Sequence, residues 1–232
     1  MAERWTITTP DGDFFAHVVR PAAPGPWPAV VAIQEIFGVN AVMREICDGL
    51  AAQGYLAVCP DLFWRLEPGV DITDKSQAEW DKALDLMGRF DVDKGVEDIR
   101  ATIDQARGHA DCSGKVGDVG YCLGGKLAFL TACRTDADAS VAYYGVGLDQ
   151  HLDDAKSLSA PLMLHIAEED GFVPKPAQAK IIAALKDSPN VTIHTYPGRD
   201  HAFARPGGAH FHREDAEGAN RRTLDFLAKH LR

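Results

Sequence analysis

The stretch Val119-Gly120-Tyr121-Cys122-Leu123-Gly124-Gly125-Lys126 leaves an apolar segment, passes through G-x-C-x-G and enters a helical pattern without a spacer. This is the nucleophile-elbow pattern, with cysteine where serine usually stands. A nucleophile carried on a strained strand-to-helix turn needs small neighbours, because a Cβ at 120 or 124 would strike the adjoining strand and helix. A sulfur over a helix N-terminus also gains from the exposed N–H groups and the dipole, which favour its thiolate. The plain alternative is a glycine-rich turn around an inert buried thiol.

Working outward, Lys115–Tyr121 reads as the strand feeding this turn, and 124–134 as the helix leaving it. Downstream come strands at 139–144 and 161–167, a helix at 175–186, a strand at 190–196, and a last helix near 213–230 with Leu224, Leu227 and Leu231 at helical spacing. Upstream, alternation over 3–20 about Pro10-Asp11-Gly12 predicts a hairpin with Phe14, Ala16 and Val18 on one face. A proline-rich connection leads to a buried strand at 29–34, a helix at 41–53 closed by Gly54, a strand at 55–59 stopped by Pro60, and helices at 76–87 and 92–107. Strands separated by helices require parallel pairing with right-handed crossovers. The expected fold is α/β, a doubly wound, mostly parallel sheet with helices on both faces, as a single domain over 1–232; the elbow at Cys122 adds the expectation of an α/β-hydrolase fold. The connection 60–75 has no periodicity and is expected to wall a pocket.

Composition narrows the partners. The 232 residues carry 24 Lys+Arg against 34 Asp+Glu, a net charge of −10, and no basic run, which argues against nucleic acid. The longest apolar stretch falls far short of the roughly 20 residues that span a bilayer, and the N-terminus lacks a signal pattern, so a cytoplasmic protein without membrane contact is expected. Five cysteines, an odd number without a C-x-x-C pair, argue against a disulfide framework. No phosphate-binding glycine loop is present, and His210-x-His212 lacks a third ligand, so neither cofactor nor metal is expected. The expected partner is a small molecule, and the chain is expected to be monomeric.

Two loops supply companions for Cys122. Asp170 follows the strand 161–167 in Glu168-Glu169-Asp170-Gly171, and His201 follows the strand 190–196 in Gly198-Arg199-Asp200-His201. The order nucleophile, acid, histidine is that of α/β-hydrolases, with each residue just past a strand's C-terminal end, where open α/β sheets bind ligands. Taken singly, Asp170 is a turn residue and His201 a loop histidine; in order they read as a triad. Glu35 ends a buried strand, where an unpaired carboxylate is costly.

The motifs Gln34-Glu35-Ile36-Phe37-Gly38-Val39-Asn40, Pro60-Asp61-Leu62, Gly120-Tyr121-Cys122-Leu123-Gly124-Gly125, Tyr143-Tyr144-Gly145-Val146-Gly147 and His201-Ala202-Phe203-Ala204-Arg205 make the chain resemble the dienelactone hydrolase family, carboxymethylenebutenolidase-like, over nearly its whole length. The resemblance implies a Cys122–Asp170–His201 triad and a Glu35 carboxylate that takes the thiol proton when substrate enters. It implies an oxyanion hole from the Ile36 and Leu123 amides, and an Arg205 that clamps a substrate carboxylate. Phe37, Tyr144 and the residue at 80 are expected to contact substrate. The family's second arginine falls at Trp80 in an ungapped alignment through Phe90-Asp91, so this chain departs from its family there. Lys75, Lys82 and Arg65 are candidate replacements for the lost charge. A substrate larger or less acidic than the family's dienelactone is therefore expected. The Asp200-His201-Ala202 loop differs mildly from the family's small residues, with no role assigned to the difference.

Cysteine itself narrows the chemistry. Its thiolate attacks well but also leaves well, so turnover favours substrates whose leaving group departs as a stabilised enolate. The expected activity is hydrolysis of enol-lactones or activated esters through a cysteinyl acyl-enzyme, as in degradation of aromatic compounds. Competing readings are a lactone-binding or sensor protein that retains the pocket and, more remotely, a redox sensor at Cys122.

Overall fold

The computed structural model describes residues 2–232. The chain forms two compact units that divide between Gly117 and Asp118.

In the first unit, β1 (Ala2–Thr9) and β2 (Gly12–Val19) form the antiparallel hairpin, with Trp5 opposite Ala16 and Ile7 opposite Phe14. Phe14, Ala16 and Val18 share its buried face, as the alternation requires. Gly12 closes the turn at φ +138°, a conformation that a side chain resists. β2 pairs antiparallel with β4 (Leu56–Pro60), which pairs parallel with β3 (Trp27–Ile33), giving the order β1-β2-β4-β3. Helices α1 (Ala41–Ala52), α2 (Gln77–Arg89) and α3 (Val92–Gly108) follow the predicted spans within a residue or two. Each begins on a side-chain cap: Asn40 accepts from the Met43 amide, Ser76 from Glu79, and Asp91 from Asp93 and Lys94. α3 buries Val96, Ile99, Ile103 and Ala106 at helical spacing.

The connection between β4 and α2 has no helix or strand, yet it is tied down. Asp61 accepts from the Phe63 amide at 3.2 Å and the Gly69 amide at 2.7 Å, and Gln34 Oε1 accepts from the Leu62 amide at 3.0 Å. Buried Asp98 on α3 holds it from below, accepting from Trp64 Nε1 at 2.9 Å and pairing with the Arg65 guanidinium. The connection walls a groove of about 510 Å³ together with Phe90 and Lys94.

β5 (Cys112–Tyr121) starts in the first unit and ends in the second. It begins three residues before the predicted start, because Ser113 and Gly114 are exposed and carry no apolar signal. In the second unit, β6 (Ala139–Tyr143), β7 (Leu162–Ala167) and β8 (Val191–Tyr196) pair parallel in that order. Helices α4 (Leu123–Arg134), α5 (Lys175–Leu185) and α6 (Arg213–Leu231) alternate with them. Both α4 and α6 pack on β6. Two short 3-10 turns at Leu148–Gln150 and Leu152–Ser157 fill the β6–β7 connection, which the sequence pattern leaves blank. Among the described residues no helix is long and apolar enough to cross a membrane.

Two buried polar groups brace this unit. Asp118 on β5 is fully buried and accepts from Ser140 Oγ on β6 at 2.5 Å; burial pushes its carboxyl well above the usual range. His165 on β7 bridges the Tyr196 hydroxyl at 2.7 Å and Thr223 Oγ1 at 3.0 Å, and stacks on Tyr143. Burial, with the His194 and Arg222 charges, holds its pKa well below the usual value, so it is neutral.

Candidate active site

Cys122 stands between β5 and α4 at φ +58°, ψ −114°, the left-handed region that costs a non-glycine residue of order 1–3 kcal/mol. Its backbone is held there on both sides. The Cys122 amide donates to the Tyr143 carbonyl at 3.1 Å, and the Cys122 carbonyl accepts from Gly125, Lys126 and Val146. The glycines enforce this turn sterically. A Cβ on Gly120 would land on the Gly124 carbonyl, and one on Gly125 would land on the Tyr143 carbonyl and meet Gly145 Cα at 3.0 Å. Gly125 is thus as constrained as Gly120. Leu123 opens α4 directly behind the cysteine, so its amide is among the first-turn donors that have no intrahelical acceptor.

Asp170 lies in the loop after β7. Its Oδ1 accepts from the Phe172 and Val173 amides at 2.8 and 3.0 Å, a local turn that also aims the carboxylate. His201, in the loop after β8, places Nδ1 at 3.1 and 3.0 Å from the two Asp170 oxygens. Both side chains are buried. The turn role and the histidine-orienting role read for Asp170 are therefore served by one carboxylate.

Burial opposes charge on the His201 ring. The Cys122 charge, the hydrogen bonds to Asp170 and Cys122, and the Asp170 charge outweigh it, and the His201 pKa is pushed up to about 10. Asp170 and His201 thus form one buried pair, with Cys122 near enough to bear on the charge of the ring. Lys126, half-buried one helical turn beyond Cys122, has its ammonium pushed down by burial against the opposing pull of the Cys122 charge.

Asp200 has a definite role. Its Oδ1 accepts from the Gly171 amide at 2.9 Å and the His201 amide at 2.6 Å, joining the loops that carry Asp170 and His201. Burial raises its pKa, but these two amides prevail and hold it below the usual carboxylate value. The sequence signal was an aspartate next to the histidine where the family has a small residue. Phe172 was not anticipated either: its ring centroid lies 4.8 Å from that of His201. Tyr144 also meets His201, edge-on at 5.0 Å. Arg205 is half-buried in the β8–α6 loop, its amide donating to the Ala202 carbonyl. His210 and His212 are engaged locally, His210 with the His201 carbonyl and His212 as the cap of α6.

The remaining predicted residues belong to the first unit. Glu35 and Ile36 are buried just after β3. Phe37 packs edge-to-face on Trp80 at 5.2 Å, and Trp80 Nε1 donates to the Asp74 carbonyl at 3.1 Å. The three candidate replacements for the lost arginine all sit against carboxylates: Lys75 on Asp74, Lys82 on Glu67, and Arg65 on Asp98 and Asp11.

A strained cysteine between β5 and α4, with an acid in the loop after β7 and a histidine in the loop after β8, fits the α/β-hydrolase fold. Comparison with known proteins narrows the class. The model of the dienelactone hydrolase family matches residues 14–231, and the chain belongs to that family and is a hydrolase. It is 56% identical over 222 residues to an Azospirillum brasilense protein named "Putative carboxymethylenebutenolidase", covering 95% of each chain. It is 41% identical over 228 residues to the carboxymethylenebutenolidase of Pseudomonas putida, covering 98% of this chain and 97% of that one. A solved Klebsiella pneumoniae structure described as a "Putative Dienelactone Hydrolase" superposes with a TM-score of 0.86 at 28% identity, covering 98% of each chain.

Proposed function

We propose that the protein hydrolyses enol-lactones or activated carboxylic esters through a covalent intermediate on Cys122. The observation that carries this reading is the His201 imidazole, hydrogen-bonded to Asp170 through Nδ1 and bearing a pKa raised by the Cys122 sulfur. The raised pKa favours the imidazolium, whose charge stabilises the sulfur once the thiol proton has left. The thiolate attacks the acyl carbonyl, forming the C–S bond, and the oxyanion is received by the Leu123 amide at the start of α4. Collapse breaks the C–O bond; the leaving enolate oxygen takes the His201 proton, which leaves the ring neutral. Water then gives a proton to neutral His201 and attacks the thioester, releasing the acid and returning the thiolate. Asp170 keeps the imidazole oriented in both halves.

Glu35 as acceptor of the thiol proton, Ile36 as a second oxyanion donor, and Arg205 as the contact for a substrate carboxylate are assigned by family resemblance alone. Trp80 and Phe37 would offer aromatic surface where the family offers a second arginine. With Lys75, Lys82 and Arg65 already beside carboxylates, the reading favours substrates with less need of an anionic handle.

Intact mass during turnover tests this. The wild type, mixed with a carboxylate-bearing enol-lactone or an uncharged activated ester, should show a transient acyl adduct on Cys122 and release acid; Cys122→Ala should show neither. Saturable binding without adduct or acid would replace the enzyme with a lactone-binding protein. Faster turnover of the carboxylate substrate than of the ester would refute the assignment at Trp80.

A further inference from the structure

Phe172 touches both members of the Asp170–His201 pair. Its amide donates to Asp170 Oδ1 at 2.8 Å, and its ring lies against the His201 imidazole at 4.8 Å with 59° between planes. Yet the side chain is poorly packed for a phenylalanine, with 48% of the residue exposed, whereas His201 is 6% exposed. The ring therefore lies against a buried imidazole while exposing apolar surface of its own.

Tyr144 is the fixed counterpart. It is buried, has φ +37°, donates its amide to the His165 carbonyl at 2.9 Å, and packs edge-on against Phe203 and His201. A tyrosine held in left-handed backbone by its neighbours cannot follow a moving histidine.

We propose that Phe172 is a positioning residue for His201, its ring acting with Tyr144 to hold the imidazole on Asp170. The physical basis is twofold. Contact with the ring fixes the imidazole, and excluding water strengthens the Nδ1–H to carboxylate bond. The charged and titratable groups around the ring are Cys122 from the elbow, Asp170 from the β7–α5 loop, Asp200 on its own loop, and His210, whose Nδ1 meets the His201 carbonyl at 3.1 Å. Replacing Phe172 alters none of them directly, so a shift in His201 titration reports the ring itself.

The proposal rests on the Cys122–His201 reading, and the experiment separates the two. Wild type, Phe172→Ala, Phe172→Leu, Phe172→Tyr and Cys122→Ala are assayed on p-nitrophenyl acetate across pH, with iodoacetamide labelling of Cys122 followed by mass. The Ala and Leu variants should lose about ten-fold in kcat with KM within about two-fold, and their alkaline limb should fall by about one pH unit. Phe172→Tyr, which keeps the ring, should restore both. An unchanged kcat and limb overturns the proposal, as does a rise in KM alone or a loss that Phe172→Tyr fails to rescue. If Cys122→Ala is inert and wild-type Cys122 labels with iodoacetamide, those failures leave the nucleophile reading standing. If Cys122→Ala hydrolyses the ester at the wild-type rate, the nucleophile reading falls and takes this proposal with it.

Discussion

Replacing Asp118 by asparagine should remove a loss of stability that the wild type suffers as pH rises. The carboxyl is fully buried, its Oδ2 accepts from Ser140 Oγ, and no cation is among the groups acting on it. Burial penalises the carboxylate and raises the folded-state pKa well above 3.8, while the unfolded chain keeps the ordinary value. Between those two values the native state holds a proton that the unfolded state has released. Stability therefore falls as pH rises, by about 1.4 kcal/mol per pH unit, until the folded carboxyl ionises. Asparagine is nearly isosteric with the protonated acid and does not titrate, so the variant lacks this loss.

Urea denaturation of both proteins from about pH 4 to about pH 8 isolates the effect, because every other titrating group cancels in the difference. The two should be close at the acid end. The variant's advantage should then grow at about 1.4 kcal/mol per pH unit and level off at the folded pKa of Asp118. A difference that stays flat across the range, or an asparagine variant that loses ground as pH rises, would refute the assignment of a buried neutral acid.

Further outcomes follow from the same geometry. Gly120→Ala places a methyl on the Gly124 carbonyl and should cost several kcal/mol or prevent folding, measurable as soluble yield and Tm. Arg65→Met strips fully buried Asp98 of its guanidinium and should lower unfolding free energy by about 3–5 kcal/mol, read from urea midpoints. His165→Phe should cost about 1–3 kcal/mol by leaving the Tyr196 and Thr223 hydroxyls without one partner each. Because the folded pKa of His165 is depressed, wild-type stability gained from neutral His165 should be lost as pH falls below 6.5, and this variant should not show that loss. Finally, with the His201 pKa raised to about 10, kcat/KM should hold through the mildly alkaline range and fall near that pH, a limb absent from any residual activity of His201→Ala.

Much of the fold was legible because the signals are local. Alternation in β2 and helical spacing in α3 and α6 depend on neighbours within a few residues. Where local signal was missing, so was the reading. The exposed start of β5 and the two 3-10 turns after β6 are set by what they pack against. The site followed the same division. Cys122, Asp170 and His201 carry residue types and an order that chemistry demands, whereas Asp200 and Phe172 look like ordinary loop residues until the two loops meet.

By itself, then, the sequence determined an alternating α/β chain, a cysteine elbow and the order of its acid and histidine, because periodicity, glycine sterics and chain order are written along one dimension. Only the tertiary structure decided that Gly125 is as constrained as Gly120, that Asp200 joins two loops, and that two aromatic rings meet His201. It also decided which buried groups are neutral. Burial and long-range contact set those properties, and residues such as Asp118 and Ser140, 22 positions apart, acquire them only when the strands that carry them come together.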